Sequence, residues 1–357
     1  MCYHIFIQNR QTEVIMEKKL VNREIRKVSN FSTLPVLIFM ILQEASRLLI
    51  SYIIHVLEIN GIMPDSSVMV IISYTALYVV GGGIAIFTYY KTRGKSTGLR
   101  LRQAFCKPQK SIGWILKWYL IIIALVYSAN ILTQVFKAVL SIVFHFEPYS
   151  PSFDFGDGAL RTVVMVLILS VYAPLFEEII FRSAVYRNTE IMGQFFAIIF
   201  SGVLFGLWHQ NYEQLLYTAV MGCGMAFLVA KTRSIIPTII FHCIMNTNSL
   251  LITNFLLSGD FTDTQQLAEN LQNPAFVSEV LNKVLILLLV GLIIICIIIA
   301  GIVLFIIELV RHRKKKKFMD GIFPIKGFKK LLVFLSAPVT VLTLAMAIIG
   351  TVVKFFL

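Results

Sequence analysis

The sequence predicts an all-α, polytopic membrane protein with about nine spanning helices. Three observations carry that prediction. Of the 357 residues, 57% are hydrophobic and only 14% are charged, against about 25% charged in a soluble domain; the mean hydropathy is +0.81. Apolar runs of about 20 residues, the length that crosses a bilayer, recur along the whole chain. Basic residues gather in alternate loops between those runs, as the positive-inside rule asks. A helix satisfies its own backbone in lipid, so every run is read as helical.

Residues 1–30 form a cytoplasmic N-terminal segment. It holds Arg10, Lys18, Lys19, Arg23, Arg26 and Lys27 against three glutamates, with no clean apolar core of a signal peptide. Met16 is a plausible second start. Residues 31–159 supply three spans, near 34–58, 66–90 and 112–141. Residues 160–257 supply four, near 160–186, 192–209, 212–230 and 235–257. Residues 258–357 add two, near 284–310 and 331–353.

The loops test this order. Loop 91–111 carries seven basic residues and no acid, and the basic loop 311–330, with Lys314 through Lys317, has Asp320 as its one acid. Lys231-Thr232-Arg233 is basic too, whereas loops 146–159 and 258–282 are acidic. With the N-terminus inside, alternation puts every basic loop on the cytoplasmic face. The net charge of +13 is therefore topogenic. It points to a lipid bilayer as partner and away from nucleic acid. The lysine run is read as a stop signal rather than a lipid-recruiting cluster. Five cysteines, Cys2, Cys106, Cys223, Cys243 and Cys296, form no CxxC pair, so neither a zinc ribbon nor a disulfide framework is expected.

Charged groups inside spans are costly and mark functional sites by default. Glu44 and Arg47 are three apart and read as a structural bridge. Lys117 and Lys137 lie toward the ends of their span and are expected to snorkel. The rest collect between residues 174 and 246. Glu178 and Arg182 are four apart on one helix face, with Glu177 about 100° round from Glu178. That spacing suggests a division of labour between the two acids. Pro174 removes a helix hydrogen bond just before them. Phe205-Gly206-Leu207-Trp208-His209 ends the next run, where Gly202 and Gly206 give a small-residue face for close packing. His242 and Asn246 are four apart on a later helix.

Glu-Glu-x-x-x-Arg, then Phe-x-x-x-His, then His-x-x-x-Asn, in this order on membrane helices, resembles the CPBP intramembrane proteases. That family groups CAAX prenyl endopeptidases with bacterial Abi and bacteriocin-processing or self-immunity proteins. The likeness covers residues 170–250, with Ser183 standing where many members have Gly. It implies that Glu177 and His209 activate water, that Glu178 and Arg182 support them, and that His242 and Asn246 stabilise the oxyanion or complete the site. The family is often called metalloproteases. The zincin motif His-Glu-x-x-His is absent, but Glu177, His209 and His242 can hold a divalent metal such as zinc. The metal stays open at this point.

The expected function is thus an intramembrane endopeptidase acting on a membrane-associated peptide or protein. The composition, rich in Ile, Lys, Phe and Asn, suggests a bacterial plasma membrane, and the resemblance implies bacteriocin processing or self-immunity as a setting. A protein partner fits the second reading, a non-catalytic scaffold or immunity protein that keeps the motifs. A transporter reading lacks the internal repeat that such folds carry. One geometric difficulty is visible. A hairpin turning at Arg187-Asn188 would put Glu177 and His209 at depths differing by roughly 15 Å, so residues 183–194 are expected to form a surface helix that resets the register.

Overall fold

The computed structural model describes residues 18–62, 66–92, 100–148, 163–164, 166–252, 273–313, 318–325 and 327–356. The lysine run 314–317, the expected extension 1–15 and most of the two acidic loops lie outside the described residues. The described residues are helical, with no strand beyond a single bridge between Gly193 and Asp320.

Helix α1 (Lys18–Ile59) leads into α2, which runs as Ser66–Thr75, a π-helical Ala76–Gly82 and Gly83–Thr92. Then comes α3 (Ile112–Phe144). Helix α4 is built of successive pieces: π-helical Ile168–Tyr172, α-helical Ala173–Glu178, π-helical Ile179–Tyr186, Arg187–Thr189 and a final 3-10 turn, Glu190–Met192. Helices α5 (Gln194–Trp208), α6 (Tyr212–Thr232), α7 (Ile236–Leu251) and α8 (Pro274–Arg311) follow. The chain closes with α9 (Gly327–Leu335) and α10 (Pro338–Phe356), two helices where one span was expected, because Pro338 cannot continue α9.

Among the described residues, six helices are long and apolar enough to cross a membrane. These are α1, α2, α3, α6, α8 and α10. The count of nine is therefore not established. The other expected spans are α4, which is segmented, α5, of 15 residues, and α7, described as α-helix as far as Leu251. These three, with His209 just past the end of α5, carry every predicted site residue.

The core is tied by small residues and hydroxyls. The start of α10 lies against α1, joined by Ser29 and Thr33 on Thr340 at 2.6 and 3.0 Å. Gly202 and Gly206 seat α5 on α6. A Cβ at Gly202 would stand 2.5 Å from the Cys223 amide, and one at Gly206 would stand 2.5 Å from the Leu215 carbonyl. Lys117 and Lys137, expected to snorkel, pair with Glu308 of α8 at 2.7 Å and Glu213 of α6 at 2.8 Å. The Arg47–Glu44 bridge forms as expected, at 2.9 Å.

The basic segments meet at one end of the bundle. Cys106 donates to the Arg233 carbonyl, Lys231 lies over the Phe318 ring, Arg26 reaches Ser336, and Lys330 reaches the Met192 carbonyl. The turn between α4 and α5 sits there too. No surface helix forms at 183–194, because Ser183, Asn188, Thr189, Glu190 and Gln194 are all buried. Glu190 takes Arg233 at 2.6 Å, Tyr186 at 3.0 Å and Gln194 at 2.8 Å. The chain reverses at Gly193, whose φ of 116° suits glycine. Gly193 is sixteen residues from Glu177 and sixteen from His209, so the expected depth mismatch disappears.

Candidate active site

Pro174 shapes the approach to the two acids. Ahead of it α4 is π-helical, and the Ala173 amide bonds back to the Ile168 carbonyl. The next amide would serve Leu169, but Pro174 has none. Asn246 of α7 fills the gap, its Nδ2 donating to the Leu169 oxygen at 2.8 Å. Asn246 is thus placed on the backbone of α4, one turn along from His242.

Glu177 and Glu178 end the α-helical piece, and π-helix follows them. Both acids reach the same imidazole from opposite ends, which the idea of two acids facing apart did not foresee. Glu178 Oε1 lies 3.2 Å from His242 Nδ1, and Glu177 Oε2 lies 3.6 Å from His242 Nε2. All three side chains are buried. His242 lies between the acids rather than beside one of them.

Arg182 is wholly buried and supports Glu178, with Nε 3.2 Å from Oε2. Its NH1 group donates to Ser201 of α5 at 3.0 Å, and the Ser201 hydroxyl donates to the Phe181 carbonyl at 3.0 Å. The guanidinium also lies 4.8 Å from the Phe205 ring centroid, in cation–π range. A buried charge needs such partners, because leaving it alone costs several kcal/mol.

His209 follows the last residue of α5. Its Nδ1 lies 2.8 Å from the Phe205 carbonyl, which leaves Nε2 for other chemistry. The Phe205 ring lies edge-on to both histidines, 4.8 Å from His209 and 5.7 Å from His242. The structure therefore brings Glu177, Glu178, Arg182 and His242 into direct contact and joins His209 to them through Phe205. Among the described residues no three His, Cys, Asp or Glu side chains form a group that could hold a metal ion. Glu177, His209 and His242 as they stand do not make a ligand set.

Sequence reading missed the contribution of α2. Tyr78, in its π-helical piece, donates to Glu177 Oε1 at 3.2 Å. Tyr90 pairs with the Ser183 hydroxyl, and Asn188 donates to Tyr89. Ser183 thus makes a bond that glycine cannot. The available signal was the run Gly81-Gly82-Gly83, a mark of close helix approach. A Cβ on Gly82 would stand 3.1 Å from the Phe176 ring.

Two comparisons bear on this segment. Residues 159–248 match the family profile described as Type II CAAX prenyl endopeptidase Rce1-like. A protein of Bacillus subtilis (strain 168), named "Putative membrane peptidase YdiL", is 40% identical over 88 residues, 24% of this chain and 35% of that protein. The chain thus spans about a third of the length of that relative. No solved structure matches it. Motif order, site geometry and both matches converge on one stretch, and over residues 159–248 the chain is similar to the CPBP membrane proteases, in their Rce1-like form.

Proposed function

We propose that this chain is an intramembrane endopeptidase in which Glu177 is the general base that activates water against a peptide bond. One observation carries the reading. Two buried carboxylates flank one imidazole, and they are not equivalent. Glu178 is held by Arg182 and His242. Glu177 has one oxygen held by Tyr78. Among the described residues neither Glu177 Oε2 nor Glu178 Oε2 accepts a hydrogen bond, but Glu178 Oε2 faces the Arg182 guanidinium at 3.2 Å whereas Glu177 Oε2 faces His242 Nε2 at 3.6 Å.

Charge balance gives the pair its chemistry. Two carboxylates against one guanidinium leave the buried set one charge negative, and a single proton shared by Glu177 and His242 neutralises it. If Nδ1–H of His242 donates to Glu178, Nε2 is an acceptor in the neutral ring. Glu177 Oε2 and His242 Nε2 can then exchange one proton between them. Water gives a proton to Oε2 as its oxygen attacks the carbonyl carbon. The same proton passes to the leaving amine as the tetrahedral intermediate collapses. His209 Nε2 orients the water, and Arg182 keeps Glu178 ionised and still.

The substrate is a membrane-associated peptide or protein, and the basic end of the bundle is the cytoplasmic face of a bacterial plasma membrane. A peptide-processing or self-immunity role fits such an enzyme. The likeness to a protein named as a membrane peptidase supports peptide-bond hydrolysis. The test uses purified protein in proteoliposomes and a panel of quenched fluorogenic peptides, each with an apolar segment and a short polar tail. Glu177→Gln is expected to lower kcat roughly 10²–10⁴-fold while the protein keeps its thermal unfolding midpoint. Cleavage by Glu177→Gln at the wild-type rate refutes the proposal.

A further inference from the structure

Tyr78 lies on a helix outside the matched segment, yet it contacts the candidate base. Its side chain is buried, and its hydroxyl donates to Glu177 Oε1 at 3.2 Å. A buried tyrosine hydroxyl needs an acceptor, and here the acceptor is the acid to which the chemistry has been assigned. We propose that Tyr78 is a positioning residue for Glu177: it fixes one carboxylate oxygen and thereby aims the other at the reacting water. The inference rests on the reading of Glu177 as the base.

Three further observations carry it. The first is local backbone. The wider π-helical turn, Ala76–Gly82, displaces Tyr78 from its α-helical position, and such turns cluster at functional sites. Gly82, one turn on, rests against Phe176, the neighbour of Glu177. Backbone approach at Gly82 and hydroxyl contact at Tyr78 thus address consecutive residues of α4.

The second is the ring. Tyr78 stacks on Tyr74 with centroids 6.4 Å apart, and it meets Phe39 of α1 at 6.1 Å. Phe39 stacks on Trp208 at 5.4 Å, and Trp208 lies 4.9 Å from His209. A continuous row of rings therefore connects the group that orients Glu177 with the other catalytic candidate. Small movements of either end are resisted by close-packed aromatic contacts.

The third is what lies beyond. Tyr78 lines a cavity of about 220 Å³, together with Tyr74, Val79, Leu167, Ile168 and Tyr172. Glu177 does not line it. Truncating Tyr78 to alanine would join carboxylate and cavity, so the informative variant is the one that keeps the ring.

Tyr78→Phe removes only the hydroxyl. On the fluorogenic peptides it is expected to lower kcat between about tenfold and a hundredfold, the worth of one hydrogen bond to a charged group, with KM unchanged. Incorporating 3-fluorotyrosine at position 78 retains the donor and restores turnover. Infrared difference spectra read the contact without any substrate. In protein labelled with 13C-glutamate, subtracting Glu177→Gln isolates the Glu177 carboxyl band, and Tyr78→Phe is expected to shift it. A kcat equal to wild type, or a band that stays in place, overturns the proposal. If wild type and Glu177→Gln are equally inactive on every peptide, the endopeptidase reading fails separately, and the band still decides whether Tyr78 holds Glu177.

Discussion

Asn246 shows how one side chain can complete the backbone beside a site. Proline at 174 leaves the Leu169 carbonyl without its amide, and the Asn246 amide supplies the missing donor. Asn246→Ala would leave that carbonyl unsatisfied in an apolar setting, at a cost of about 1–3 kcal/mol. The expected outcome is a lower unfolding midpoint with partial loss of turnover; Asn246→Asp, which can only accept when ionised, should be worse than alanine. Thermal unfolding in detergent, read beside peptide cleavage, checks both. The pairing of Glu178 with Arg182 was legible at the residue scale, because four-residue spacing on a helix dictates it. The convergence of both acids on His242 was not. It arises where α-helix meets π-helix, and a uniform 100° step per residue misplaces the side chains there.

At the scale of elements, the packing glycines were legible and the turn was not. Gly202 and Gly206 announced a close contact by spacing alone, and α5 and α6 meet there. Gly202→Val would push β-branched carbons into the Cys223 backbone, so the two helices would have to part. Overpacking of this kind costs about 1–3 kcal/mol or more. The expected result is aggregation or fast proteolysis of the variant, checked by size-exclusion profile and limited trypsin digestion. The turn deceived because Arg187, Asn188 and Glu190 are polar, and polar residues between apolar runs read as loop. Two of them are buried in bonds to distant helices: Asn188 on Tyr89 and Glu190 on Arg233. Polarity marked interior hydrogen bonding there rather than solvent.

For the whole molecule, the matched segment is not self-sufficient. The α4–α5 turn is held by residues that follow it by more than a hundred positions. The Gln194 amide donates to the Met319 carbonyl at 3.0 Å, the Ile322 amide to the Ile191 carbonyl at 3.0 Å, and Lys330 to the Met192 carbonyl at 2.7 Å. Tyr78 reaches the site from the other side of the sequence. Fold class was legible because lipid demands long apolar helices and topogenic charge. The partners of the site were not, since tyrosines and backbone amides in remote segments carry no pattern of their own.

The short helix α5 has a consequence for the membrane itself. With 15 residues, it is about 22 Å long. The hydrocarbon layer is about 30 Å thick. A bilayer meeting that side of the bundle must dimple inward or let headgroups and water descend. Either response hydrates the region between α5 and α7, where His209 and His242 stand. Lipid thickness then becomes a variable of the reaction. Turnover of one peptide in vesicles of short-chain phosphatidylcholine is expected to exceed turnover in long-chain vesicles, with equal protein incorporation as the check. A rate indifferent to chain length would mean that water reaches the acids by another route.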